Sequence, residues 1–143
     1  MKHDFLNIIG LMTGTSMDGI DISLVQTNGL DLKRLNKNYF YEYNNKTKSF
    51  LMNILNEDIS FNLKRKQHLD EFITYEHYLA LKDLNIIERC DLVGFHGQTI
   101  HHDPENRVSI QLGDPKRLAK MLNKDVIFDF RSNDLKLGGQ GAP

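Results

Sequence analysis

A single cysteine, Cys90, stands in 143 residues. That excludes an internal disulfide and the zinc frameworks built from several thiolates, and it makes a reducing cytoplasm the expected compartment. Excess charge of either sign is missing as well. Eighteen Lys and Arg against nineteen Asp and Glu leave a net charge of -1, so no global basic field attracts nucleic acid or an anionic membrane, and any anionic ligand must be held locally. No apolar run reaches membrane-spanning length. The stretch 5–12 follows Lys2 but is interrupted by Asn7 and runs into Gly14-Thr15-Ser16-Met17-Asp18 without a small-residue cleavage site, so it reads as a buried strand rather than a signal peptide. Glycine and proline are both absent between Asp31 and Val93, which marks that segment as scaffold.

What is present is enough for one soluble domain. Apolar residues make up 40% and charged residues 26%, inside the folded class, and the length suits a single core without staples. The glycines gather in three groups, Gly10, Gly14 and Gly19, then Gly94 and Gly97, then Gly138, Gly139 and Gly141. Each group marks a candidate site loop.

Alternation predicts strands over 5–12 and 20–27, the second with Ile20, Ile22 and Leu24 on one face and Asp21 and Ser23 on the other. Asn28-Gly29 predicts a tight turn into a third strand running toward 39–43. Helical spacing follows in Phe50, Leu51, Ile54 and Leu55, and again in Leu69, Phe72, Ile73, Leu79 and Ala80 over about 64–84. His68 and His77 on that second helix are expected to face solvent. Residues 91–95 and 126–130 are short apolar strands, and between them Asp114-Pro115 is a helix start, with Asp at the cap and Pro at the first helical position. The expected class is therefore α/β, a three-strand antiparallel meander extended by parallel strands with helices. The site loops all follow strands, where ligands gather in open α/β sheets.

Gly14-Thr15-Ser16-Met17-Asp18-Gly19 has two glycines five apart, yet Ile20-Asp21 stands where a Walker loop requires Lys and Ser or Thr, and a strand follows instead of a helix. What remains is a hydroxyl-rich glycine loop whose N–H groups and hydroxyls can ring a phosphate, with Asp18 or Asp21 able to hold magnesium. The plainer alternative is a hairpin turn at Asp18-Gly19. In the second group His96 ends a buried strand, Gly97 exposes backbone, and Gln98 and Thr99 are suited to sugar hydroxyls. A satisfied core histidine is the alternative for His96. His101 and His102 are sequence neighbours that point to opposite faces of an extended segment, so at most one joins a site, and both are expected to face solvent. Arg131, past the last strand, could hold a carboxylate or phosphate bidentately or form a structural ion pair with Asp129 or Asp134. Asp114 is expected to be a helix cap, and Met17 and Met121 packing residues.

Five blocks, Gly10-Leu11-Met12-Thr13-Gly14-Thr15-Ser16-Met17-Asp18-Gly19-Ile20-Asp21, Gly94-Phe95-His96-Gly97-Gln98-Thr99, Gln111-Leu112-Gly113-Asp114-Pro115, Asp129-Phe130-Arg131 and Gly138-Gly139-Gln140-Gly141-Ala142-Pro143, closely resemble, in order, the anhydro-N-acetylmuramic acid kinase family. The resemblance implies a ribonuclease H-like domain of the actin and sugar-kinase superfamily. It implies a cytoplasmic kinase of murein recycling that uses ATP and water to convert 1,6-anhydro-N-acetylmuramic acid into its 6-phosphate. Carried over, Gly14, Thr15, Ser16, Met17, Asp18, Gly19, Ile20 and Asp21 form the phosphate loop, Asp18 is the Mg2+ partner, and His96, Gln98, Thr99 and Arg131 help line the sugar pocket.

Family chains continue through an Asp-Thr-Gly-Pro-Gly-Asn motif, whose aspartate is the expected base, and a second domain that holds adenosine. Residues 1–143 are accordingly expected to be an incomplete N-terminal kinase domain, inactive alone, with the segment from Asp31 to Leu92 shortened and a homodimer open to the full-length form. Partners are the amino sugar and ATP, with no nucleic acid or membrane. The rival reading is a noncatalytic nucleotide- or sugar-binding module of the same fold, and a metal-dependent hydrolase on His96, His101 and Asp103 is a distant third.

Overall fold

The computed structural model describes residues 4–55 and 63–141. Strands β1 (Leu6–Met12), β2 (Gly19–Thr27) and β3 (Leu32–Glu42) form the antiparallel meander. Its second turn is built as the Asn28-Gly29 pair predicts, with the Asn28 carboxamide oxygen accepting from the Leu30 and Asp31 N–H groups at 3.0 and 2.7 Å. Helices α1 (Asn45–Leu55) and α2 (Leu63–Asp83) follow, then a 3-10 turn at Ile87–Arg89 and strand β4 (Leu92–Phe95). The hairpin β5 (Gln98–Asp103) and β6 (Val108–Leu112) comes next, then α3 (Pro115–Leu122), β7 (Asp125–Ile127) and the short α4 (Ser132–Lys136).

The sheet order is β3-β2-β1-β4-β7, with β4 and β7 added parallel to β1. This is the meander extended by parallel strands, in the ribonuclease H-like arrangement. The alternation read in β2 holds, because Ile20, Ile22 and Leu24 join Ile9, Leu11, Val93 and Phe95 in one core against Leu69, Ile73, Leu81 and Leu118 of the helices. On the opposite face Leu6 and Met12 stay 44% and 47% exposed.

Two elements depart from the sequence reading. The strand expected at 126–130 is the three-residue β7, and its last residues turn away to carry Arg131. Residues 98–112, to which the sequence reading gave no element beyond an extended segment at His101 and His102, form the β5–β6 hairpin, and the alternation of Val108, Ile110 and Leu112 was its signal. Gly97 permits the hairpin to fold back beside β4. Its φ is +73°, and a Cβ there would collide with the Leu112 carbonyl oxygen.

The α2 reading also needs correction. Its buried stripe runs through Leu69, Ile73, Thr74, Glu76, His77, Ala80 and Leu81, so His77 lies inside, four residues after Ile73 and three before Ala80 on the same helical face. Its Nδ1–H donates to the Ile73 carbonyl at 2.8 Å, and its ring stands edge-on to Phe95 at 4.9 Å. Polar residues on the core face hid the stripe from a purely apolar pattern. His68 is exposed as expected. From the same helix, Asp70 Oδ1 accepts from Gly113 N–H at 2.9 Å and Thr74 Oγ1 from Asp114 N–H at 2.7 Å. Asp114 in turn caps α3 through Arg117 N–H at 3.0 Å.

Burial pushes the His77 pKa down to about 4, against roughly 6.5 for the unfolded chain. The unfolded state therefore takes up a proton first as pH falls. The stability associated with neutral His77 is fully present above about pH 6.5 and is lost between there and pH 4, at about 1.4 kcal/mol per unit. Urea unfolding from pH 7 to pH 4 is expected to lose about 3 kcal/mol more in the native chain than in His77→Leu. Equal pH slopes in the two proteins would remove His77 as the cause.

Candidate active site

The parallel register Gly10↔Gly94 and Leu11↔Phe95 brings the ends of β1 and β4 side by side. From β1 the chain enters a loop before β2, closed as a turn by Met17 N–H donating to the Gly14 carbonyl at 3.3 Å. Met17, with φ 52° and 1% exposure, plugs the core beneath the loop. Tyr43 N–H holds the loop's exit by donating to the Asp18 carbonyl at 2.9 Å. Thr15, Ser16 and Asp18 are left exposed on the outer side. Ser16 Oγ–H donates to Asp18 Oδ1 at 2.6 Å, and this bond holds the Asp18 carboxyl below the usual carboxylate range, with its own and neighbouring backbone N–H groups helping. The loop thus presents hydroxyls and a firmly ionised carboxylate on a pinned backbone. Gly19 and Ile20 of the same motif are interior, and Ile20 is a core residue. Asp21, on the other face of β2, is exposed beside a shallow hollow of about 360 Å³ that it shares with Gly10, Ser23, Gly94, His96 and Phe130.

Phe95 at the end of β4 faces α2, so the next residue, His96, points the opposite way. His96 Nδ1–H donates to the Gly97 carbonyl at 2.9 Å, which leaves Nε2 as the acceptor that receives Arg131 Nε–H at 2.9 Å. Burial, with the Arg131 charge nearby, lowers the His96 pKa and keeps the ring neutral. Arg131 is 8% exposed. Its Nη1 donates to Ser109 Oγ and reaches His102 Nδ1, each at 3.3 Å. Neither carboxylate read as its partner takes it. Asp129, in the left-handed region at φ 60°, accepts from Ser132 N–H and Ser132 Oγ–H to start α4, and Asp134 Oδ2 accepts from Gly141 N–H at 2.8 Å. Ala142 and Pro143 of that last motif lie outside the described residues. Among the described residues no carboxylate is within ion-pair distance of Arg131. Such a buried, unneutralised guanidinium favours an incoming anion.

A cleft of about 360 Å³ opens onto this group, walled by His96, Ser109, Gln111, Phe128, Phe130 and Arg131. Gln98 and Thr99 stand behind its wall, not in it. Gln98 is fully buried and its Nε2–H donates to the Gly14 and Thr99 carbonyls at 3.0 and 3.2 Å, while Thr99 is 4% exposed and its Oγ1 accepts from Gln111 Nε2 at 3.4 Å. Conversely His102, expected only in solvent, is still exposed but sits across the hairpin from Ser109 and touches Arg131. A register shift between Thr99 and His101 sets which of the paired histidines meets Arg131. Asp103 is engaged by Asn106 at 3.1 and 2.7 Å. Among the described residues no three His, Cys, Asp or Glu side chains converge as a metal set, so the hydrolase constellation of His96, His101 and Asp103 is not assembled. Thr13 and Ser109 are the residues missed. Thr13 was within a motif but lacked a partner in sequence, and Ser109 needed the hairpin.

A family model described as anhydro-N-acetylmuramic acid kinase matches residues 6–143. Curated relatives of that name include the protein of Pelagibacter ubique (strain HTCC1062), 37% identical over 146 residues, and that of Bradyrhizobium diazoefficiens, 34% identical over 148. The protein of Nitrobacter winogradskyi is 36% identical over 150 residues. These alignments take in 96–97% of the chain and 39–40% of the relatives, so the chain spans about two fifths of their length. The match runs through every loop that meets at the ends of β1 and β4, and the chain belongs to the anhydro-N-acetylmuramic acid kinase family.

Proposed function

We propose that residues 1–143 belong to the N-terminal domain, without completing it, of a cytoplasmic ATP-dependent kinase acting on 1,6-anhydro-N-acetylmuramic acid in murein recycling. Water attacks the anomeric carbon, the bond from that carbon to the bridging oxygen breaks, and the freed O6 takes the γ-phosphoryl group of ATP. The proton leaving the water passes to a base outside these residues, and a second domain holds the adenosine. The observation that carries this reading is the placement of the hydroxyl-glycine loop beside the His96–Arg131 pair at adjoining strand ends.

In this reading Thr15 offers its hydroxyl, and the loop its N–H groups, to phosphate oxygens, while the Ser16 hydroxyl stays on Asp18. Asp18 fits Mg2+ as a single carboxylate ligand, since Mg2+ is commonly held by one or two carboxylates with water and substrate phosphates. The ion, when bound, neutralises phosphate charge. Arg131 receives the lactyl carboxylate of the sugar, and neutral His96, whose Nε2 accepts from Arg131, aims the guanidinium instead of moving a proton. Phe128 and Phe130, about half-exposed along the cleft, offer apolar faces to the sugar ring.

The test is coupled ADP release by the full-length enzyme with the anhydro sugar, ATP and Mg2+. Binding of both substrates without sugar-dependent ADP release would identify a noncatalytic module instead. Asp18→Asn is expected to lower kcat by on the order of a hundredfold or more with its melting temperature unchanged, because an amide oxygen still accepts from Ser16 but neutralises no metal charge. Near-normal turnover with unchanged Mg2+ dependence would refute the metal role.

Arg131→Leu is expected to raise KM for the sugar roughly 10- to 100-fold with KM for ATP little changed, as loss of a charge-assisted pair predicts. The native enzyme should discriminate against 1,6-anhydro-N-acetylglucosamine, which lacks the lactyl group, and the variant should not. Undiminished discrimination in Arg131→Leu would move carboxylate recognition elsewhere.

A further inference from the structure

Two hydrogen bonds from buried side chains cross between the loops, in opposite directions and over the same sequence distance. Thr13 Oγ1–H, from the first loop, donates to the Gly97 carbonyl at 2.7 Å, and Gln98 Nε2–H, from the second, donates to the Gly14 carbonyl at 3.0 Å, each spanning 84 positions. Thr13 is 1% exposed and Gln98 fully buried, so neither group has water as a substitute partner. Each carbonyl also takes a local donor. Gly14 accepts Met17 N–H, which closes the turn, and Gly97 accepts His96 Nδ1–H, which sets the tautomer that receives Arg131. Both acceptors therefore use their two lone pairs, one within a loop and one between loops. The orientation of the Gln98 amide is settled by its surroundings, because the two carbonyls of Gly14 and Thr99 would repel an oxygen in place of Nε2. That orientation leaves Oε1 buried without a partner, which is consistent with a residue kept for what its nitrogen holds.

We infer that Thr13 and Gln98 are positioning residues, a reciprocal clasp that fixes the hydroxyl-bearing face of the first loop relative to His96 and Arg131. Neither touches substrate. Gln98, which the sequence places in the sugar pocket, acts instead on the phosphate side through the Gly14 carbonyl. The inference rests on the phosphate-loop reading above. Loss of either bond frees the turn's first carbonyl or its approach from β1, and displacement of reacting groups by about 1 Å lowers rates on the order of a hundredfold.

The experiment uses the full-length enzyme and four variants. Thr13→Val keeps the shape and removes the hydroxyl, Thr13→Ser keeps the hydroxyl, Gln98→Met keeps the length and removes the donor, and the fourth combines Thr13→Val with Gln98→Met. Amide exchange is followed by mass spectrometry over residues 11–19, with α2 peptides as the reference for global stability, and KM and kcat are measured for ATP and for the sugar.

Thr13→Val and Gln98→Met are each expected to speed exchange in 11–19 by about tenfold without moving α2, and to lower kcat/KM for ATP by about tenfold or more. KM for the sugar should stay within about threefold, because His96 keeps its own bond to Gly97. Thr13→Ser should restore native exchange and kinetics, and the double variant should lose less than the product of the single losses, as expected for two bonds acting on one loop.

Unchanged loop exchange with native ATP kinetics in both single variants would overturn the clasp. Accelerated loop exchange with native ATP kinetics would keep the clasp, overturn its part in the reaction and tell against the phosphate-loop reading itself. Parallel acceleration in α2 with no rescue by Thr13→Ser would make the bonds general stabilisers and overturn the positioning role.

Discussion

The parallel ladder between β1 and β4 joins segments 84 positions apart through four residue pairs. Parallel pairing points both strands the same way, so both release their chains at one edge of the sheet, and the loops that follow have to share that edge. The clasp between Thr13 and Gly97 and between Gln98 and Gly14 is possible only in that register, because a slip of one residue would turn Phe95 outward and His96 toward α2. Phe95 in the core and His96 in the cleft are two readings of the same alternation.

From that edge the site spreads by hydrogen bonds, not by shared sequence position. Gly97 offers its carbonyl to Thr13 and His96, His96 offers Nε2 to Arg131, and Arg131 reaches Ser109 and His102 on the hairpin. The chain of contacts carries one unneutralised positive charge into a half-apolar cleft beside a loop that carries an exposed carboxylate and hydroxyls. Opposite electrostatics at neighbouring places suit the proposed reaction, in which an anionic sugar and a metal-bound nucleotide would lie close without competing for one subsite.

The supporting layer is polar where an ordinary amphipathic helix would be apolar. Asp70 and Thr74 of α2 grip the Gly113-Asp114 turn, and His77 packs edge-on to Phe95 behind the site strand. Gly113, with φ +129° and the Phe95 ring where a Cβ would stand, brings that turn close to β4. Helix, turn and strand are thus fastened together at one wall of the cleft, where Phe95 and Gly113 line it. The site gains a rigid back wall from this arrangement, and the helix loses the clean apolar stripe that would have revealed its buried face.

What the sequence by itself determined is whatever short-range physics decides. The Ile20, Ile22 and Leu24 alternation, the Asn28-Gly29 turn and the Asp114 cap each act within a few residues, and each is where the chain indicated, whereas the third glycine group follows α4 and not the strand it was read to end. The ordered motifs were specific enough to point to the family before any geometry was known. The tertiary structure alone decided the partners. Whether His96 meets Arg131 or Arg131 meets Asp129, whether Gln98 faces a ligand or the Gly14 carbonyl, and whether His77 is wet or buried depend on contacts 35 or 84 positions apart, or on which face of α2 meets the sheet. No local pattern encodes such contacts, because the choice between satisfying a polar group inside the protein and leaving it in water is made only when the chain has folded around it.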